Sequence, residues 1–181
     1  VTNTGVLEWW DLKTARVSRP VAGIPAAVRG VVLSPDGKSL ATAHVPRKED
    51  SLNTVRVRDA SGRERFAVPS GIGGISAMCF SPDGSALVAG SYDDDLRVWN
   101  ARNGELVKLI DELPVSMFAV AFSPDGKHLA AAGVDRTVYL WETTSWKLAR
   151  KLTGQPEMIS ALAFSPDGKQ LALQTQDGGA F

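Results

Sequence analysis

The tetrapeptide Ser-Pro-Asp-Gly occurs four times in the chain, beginning at Ser34, Ser81, Ser123 and Ser165, at spacings of 47, 42 and 42 residues. A fixed period of about 20 to 50 residues decides the fold class before any single element does, because each unit has to bury its faces against its neighbours. Every copy has the chemistry of a turn. Proline presets φ near about −65°, aspartate hydrogen-bonds its own backbone, and glycine takes the positive φ that other residues resist. Apolar runs flank each turn, as in Ile75–Phe80 before one and Ala86–Ala89 after it. A third run ends in an aromatic and a polar residue, as in Leu96–Asn100 and Val138–Glu142, and a fourth follows, as in Leu106–Ile110. Short runs without a 3.6-residue period predict an all-β repeat whose unit is a four-stranded antiparallel sheet.

Composition narrows the function classes. The chain has 181 residues, 44% hydrophobic and 22% charged, enough apolar material for a core. Twenty Lys and Arg balance twenty Asp and Glu. With no net field to attract a phosphate backbone or an anionic membrane, neither nucleic acid nor membrane is an expected partner. One cysteine, Cys79, and two histidines fall short of a disulfide or a structural zinc set. The lone thiol favours a reducing, cytoplasmic compartment. Apolar stretches such as Phe118–Phe122 are far shorter than the roughly 20 residues of a membrane helix. The chain opens on Val-Thr-Asn-Thr-Gly, with neither Met nor a signal, and reads as an interior cut.

Two segments, Gly90-Ser-Tyr-Asp93-Asp-Asp-Leu-Arg-Val-Trp99-Asn and Gly133-Val-Asp135-Arg-Thr-Val-Tyr-Leu-Trp141-Glu, each place an Asp six residues before a Trp. On these residues the chain resembles the WD-repeat β-propeller family, its Ser-Pro-Asp-Gly turn being of a type common in bacterial members. Tol-system and peptidase-gating propellers share that turn, and the Asp-to-Trp spacing decides for the WD type. The resemblance implies an all-β β-propeller of four-stranded antiparallel blades, about four blade-equivalents in this chain. It implies that Asp93, Asp135 and Asp177 cap the turns between second and third strands, and that Trp10, Trp99 and Trp141 pack on the outer strands. The family's Gly-His pair before the first strand is missing; Gly154-Gln155, the Gly73-Gly74 region and Leu113-Pro114 hold its place. In the first full unit Arg58 stands where the Trp is expected, and five extra residues fall between His44 and Asn53.

Phase sets the organisation. Counting back six residues from Trp10 reaches Thr4, and the last equivalent is Asp177, so four whole units lie between them. The reading is a half-blade at 1–22, blades at about 26–69, 74–110 and 116–152, and a half-blade at 157–181. Blades are apolar on both faces, so an open arc would leave large faces in water. Two copies exchanging half-blades into an eight-bladed homodimer ring, or a longer propeller of which this is a part, would cover them.

Catalysis has little support in the sequence. There is no Gly-x-Ser-x-Gly, no His-Glu-x-x-His and no nucleophile beside a base, so the chain reads as a non-enzyme without cofactor or metal. Cys79 aligns with Val32, Ala121 and Ala163 and reads as a buried filler. The run Asp93–Asp95 lacks the six to eight oxygen ligands of a calcium site. Gly71-Ile-Gly-Gly74 lacks the lysine and helix of a phosphate loop and reads as a connection between blades. The expected function is a protein-interaction scaffold that binds a protein or peptide on the propeller face through Arg29, Arg47, Lys48, Tyr92, Phe118 and Met158. The alternative is a propeller segment that regulates or gates an enzyme module elsewhere in a longer chain.

Overall fold

The computed structural model describes residues 8–20, 27–45, 53–71, 73–111 and 113–176; the expected site residues Arg47, Lys48 and Asp177 lie outside them. The described residues form sixteen strands and no helix. A two-stranded sheet of β1 (Glu8–Asp11) and β2 (Arg16–Pro20) comes first. Three four-stranded antiparallel blades follow. They are β3 (Ala27–Leu33), β4 (Ser39–Val45), β5 (Thr54–Asp59) and β6 (Glu64–Pro69); β7 (Ile75–Phe80), β8 (Ala86–Ser91), β9 (Leu96–Asn100) and β10 (Leu106–Ile110); and β11 (Met117–Phe122), β12 (His128–Gly133), β13 (Val138–Glu142) and β14 (Leu148–Leu152). A last two-stranded sheet pairs β15 (Met158–Phe164) with β16 (Leu171–Gln176). Each blade is a meander of sequential hairpins, the pattern of WD40 propeller blades.

The four repeated turns are built alike. In the first, Ser34 Oγ donates to Asp36 Oδ1 at 2.7 Å, Asp36 Oδ1 accepts the Lys38 amide at 3.0 Å, and Ser34 Oγ accepts the Ser39 amide at 2.9 Å. Ser81, Ser123 and Ser165 repeat all three bonds. The four turn glycines have φ between 68° and 70°, where a Cβ would be strained. The serine hydroxyl, then the backbone amide, hold the carboxyls of Asp36, Asp83, Asp125 and Asp167 below their usual range.

The cores lie between blades, because the second strand of each four-stranded blade buries both faces. In β12, Leu129 and Ala131 join the core shared with the preceding blade, while Ala130 and Ala132 join the one shared with β15 and β16. In β8, Leu87 and Ala89 face back towards Val55 and Val57, and Val88 faces forward. The innermost strands β3, β7, β11 and β15 contact one another in that order. Cys79 packs at one of these boundaries, where burial pushes its thiol up to about 12.

Trp99 and Trp141 occupy one register position, opposite Leu87 and Leu129, and both are buried. Arg58 is the equivalent opposite Leu40 and is only 2% exposed. A buried guanidinium needs acceptors. Arg58 Nη1 donates to Thr42 Oγ1 at 3.0 Å and Nη2 to Glu64 Oε2 at 3.3 Å, while Arg56 Nη1 reaches the same carboxylate oxygen at 2.9 Å. Thr42 Oγ1 also lies 2.7 Å from His44 Nε2, and His44 Nδ1 is buried without a hydrogen-bond partner. A polar network thus fills the site that indole fills in the next two blades. Trp10, beside the register shift of the two-stranded first sheet, is 56% exposed.

Two outcomes follow from this packing. Trp141→Ala opens a large cavity between blades and is expected to cost about 3–5 kcal/mol in a denaturant melt; an unchanged midpoint would overturn this account of the boundary. Burial first, then the charges of Arg58 and Arg56, push the His44 imidazole down from 6.5 to about 4, against an opposing pull from Glu64. The unfolded chain therefore binds a proton near pH 6.5 that the folded chain refuses until near pH 4. His44 should leave stability intact above pH 6.5 and erode it as pH falls from 6.5 to 4. Melting temperatures across that window should fall more steeply for the parent than for His44→Gln, and parallel curves would count against the buried neutral imidazole.

Candidate interaction face

The turns between second and third strands, the connections between blades and the starts of the innermost strands all fall at one end of the sheets. Each innermost strand carries a β-bulge there, between Val28 and Gly30, Ile75 and Ala77, Met117 and Ala119, and Ile159 and Ala161. A bulge leaves one residue outside the ladder and re-aims its side chain. Those residues are Arg29, Ser76, Phe118 and Ser160, each five residues before the Ser of its repeat turn. Arg29 is exposed and Phe118 half-buried. Ser76 Oγ turns inward to the Gly90 carbonyl at 3.0 Å and to the Met117 carbonyl. Met158, half-buried, is not in this set: it sits one residue before Ile159, the equivalent of Met117.

Phe118 meets Tyr92 edge-on, with ring centroids 5.7 Å apart and planes at 65°. Tyr92 is 45% exposed, and its backbone is tied at both ends: its amide donates to the Gly74 carbonyl at 3.1 Å, and its carbonyl accepts Ser116 Oγ at 3.3 Å. The ring is therefore presented by a fixed main chain, at little further entropic cost on contact.

Three consecutive aspartates beside it make three different contacts. Asp93 lies against the interblade connection, where a Cβ on Gly71 or Gly73 would collide with its carboxylate. This close approach is why that connection is glycine-rich. Asp94, at φ 62°, accepts Ser116 Oγ at 2.9 Å. Asp95 is buried, bonded to Ser91 Oγ at 2.7 Å and clasped by Arg97 through 2.8 and 2.7 Å contacts. Burial raises the Asp95 carboxyl above its ordinary value, against the lowering pull of Ser91 and Arg97. In the next blade Asp135 accepts the Thr137 amide at 3.1 Å and the Tyr139 hydroxyl at 2.6 Å.

Among the described residues, no group of three or more His, Cys, Asp or Glu is arranged to hold a metal ion. Thr42 and His44 form a hydroxyl–imidazole contact, and both are buried in the Arg58 network. Sequence reasoning passed over Ser76, Ser160, the Asp95–Arg97 pair and the Arg58 network. The constant offset of five residues before each repeat turn signals the first two, and the Asp-x-Arg spacing, which places both side chains on one face of a strand, signals the pair.

The repeat profile described as "WD domain, G-beta repeat" matches residues 67–100, 109–142 and 146–178, more than half of the chain. The chain belongs to the WD-repeat family. Each match runs from an outermost strand into the blade after it, as residues 67–100 run from within β6 to the end of β9. The chain is 31% identical over 108 residues to Autophagy-related protein 16 of Arabidopsis thaliana, covering 60% of this chain and 21% of that protein. It is 27% identical over 103 residues to the Periodic tryptophan protein 2 homolog of Schizosaccharomyces pombe, covering 56% of this chain and 11% of that one. The chain thus matches only about a fifth and a ninth of these curated relatives.

Proposed function

We propose that the chain is a non-catalytic protein-interaction scaffold whose contact surface is the face bearing Arg29, Tyr92, Phe118 and Met158; Arg47 and Lys48, expected to join them, lie outside the described residues. The observation that carries this reading is the exposed Tyr92 ring, braced edge-on by a bulge-presented Phe118. Rigid aromatics and arginine dominate the energetics of protein interfaces. Asp93 and Asp135 hold the turns beneath this surface, in one place through a glycine connection and in the other through an amide and a phenol. Tyr92→Ala is expected to change stability by less than about 1 kcal/mol while stripping partners from the chain in affinity purification with quantitative mass spectrometry. An unchanged partner set would overturn the assignment of this face.

The alternative is a propeller segment that regulates or gates an enzyme module elsewhere in a longer polypeptide; the relatives extend well beyond the stretch matched here. The two readings share the binding face and differ in what lies beyond it.

Closure is proposed on the same footing. Val31 and Leu33 are 54% and 43% exposed, whereas their equivalents Met78 and Phe80, or Val120 and Phe122, pack against a preceding blade. At the other end Ala161, Ala163 and Ala172 are exposed, where the matching residues of the three blades are covered. Two copies that exchange half-blades into an eight-bladed ring would bury both faces, as would further blades of a longer propeller. Light scattering after size exclusion is expected to give twice the 19.3 kDa chain mass for the two-copy ring. A monomer would exclude that ring and leave the longer propeller.

A further inference from the structure

The clefts between blades at the Ser-Pro-Asp-Gly end differ in kind. Between the first two four-stranded blades, a cleft of about 700 Å³ is lined by charged residues that include Asp36, Lys38, Arg63 and Arg102. Arg65 ties it across, donating to Ser39 Oγ at 3.1 Å and to the Arg102 carbonyl at 2.9 Å. Between the second and third, a cleft of about 670 Å³ is walled by Pro82, Val98, Val107, Phe122, Pro124 and Trp146. A smaller cleft of about 300 Å³, with Tyr139 and Trp141 stacked at 5.8 Å in its wall, shares Trp146 with it.

Trp146 has φ 53°, at the place in the third-to-fourth-strand turn where the other two blades have Gly62 at 89° and Gly104 at 79°. The same turn in the first sheet has Ala15 at φ 51°, but a bulky aromatic in the left-handed region is uncommon. One side of the Trp146 ring packs against the core between the second and third four-stranded blades. At the first boundary the glycine is essential, because a Cβ on Gly104 would stand 2.7 Å from the Phe66 ring that closes the gap. By register the equivalent of Phe66 is Lys108, since Phe66 pairs with Val57 and Lys108 with Val98. The second boundary has thus exchanged an aromatic plug and a glycine for a lysine and a strained tryptophan. The Trp146 ring stays half-buried as a wall common to both clefts, and Val107 beside it is 54% exposed.

Charge divides along the same line. The larger cleft is lined by the carboxylates of Asp83 and Asp125 and by no lysine or arginine. Lys127, outside that lining, brings its Nζ to 4.0 Å from Asp125 Oδ2. The smaller cleft is lined by Lys108 and Lys151 against one carboxylate, Asp111, and Lys151 Nζ stands 5.1 Å from the centre of the Tyr139 ring. An apolar wall between an acidic and a basic pocket is complementary to a chain segment of opposite polarity, since charges matched across an interface set register and orientation.

We propose that these two clefts, on either side of Trp146, together bind an extended peptide segment of a partner protein. An apolar side chain lies across Trp146, a Lys or Arg on one side of it meets Asp83 and Asp125, and an Asp or Glu on the other meets Lys108 and Lys151. None of the residues lining these clefts is among those assigned to the face described above. Panning a phage-displayed heptapeptide library on the full chain is expected to enrich an apolar residue between a basic and an acidic one. The synthetic consensus peptide should bind in isothermal titration, with affinity unchanged in Tyr92→Ala and lowered at least tenfold in Trp146→Gly. Glycine suits the positive φ, so that variant removes the ring without straining the turn. Should it melt early, Lys108→Glu with Lys151→Glu supplies the second reading and should also lower affinity at least tenfold. Enrichment without that charge order, or a peptide that binds Trp146→Gly and the double variant as well as the parent, would overturn the proposal.

Discussion

The serine hydroxyl of each Ser-Pro-Asp-Gly turn donates to the aspartate and accepts the amide five residues on, and the rest of the blade depends on that pair of hydrogen bonds. It fixes the register of the hairpin formed by the first and second strands. Because side chains alternate with period two along a strand, a slip of one residue would exchange the forward and backward faces of the hairpin. The same register sends Leu87 towards one neighbour and Val88 towards the other, and places the bulge residue of each innermost strand five positions before the serine. A local lock of a few hydrogen bonds therefore governs both the cores between blades and the surface presented at the far end.

Those cores tolerate different chemistry at one geometric slot. Opposite Leu87 and Leu129 it holds indole, and opposite Leu40 it holds the Arg58 guanidinium with Thr42, His44, Arg56 and Glu64. Indole is stabilised by apolar burial, and at Trp141 also by stacking on Tyr139, whereas the guanidinium is tolerable only while its partners are in place. The first full blade therefore carries a boundary whose stability depends on pH, next to boundaries that do not use titratable groups in this slot.

The recognition surfaces arise where the repeat is least regular. Tyr92 and Phe118 form an aromatic pair at one boundary, while the equivalent bulge positions hold Arg29, Ser76 and Ser160. Trp146 stands where the other full blades keep glycine. Repetition supplies a rigid frame, and departures from it supply specificity, since a frame of identical blades would offer one surface many times over.

The sequence by itself determined the all-β class, the four-stranded unit and the turn positions, because proline, glycine and a period-two pattern act over a few residues whatever surrounds them. It also marked Arg58 as an exception, though not what would satisfy its charge. The tertiary structure decided which of three adjacent aspartates is buried: Asp95 is clasped by Arg97, which itself reaches the Ser70 carbonyl at the connection between blades. It decided that Phe118 meets Tyr92, that Asp93 needs glycine at 71 and 73, and that Trp146 walls two clefts. Each of these contacts joins neighbouring blades or the connections between them, and a contact across that boundary is set by how the blades stack, which no single strand encodes.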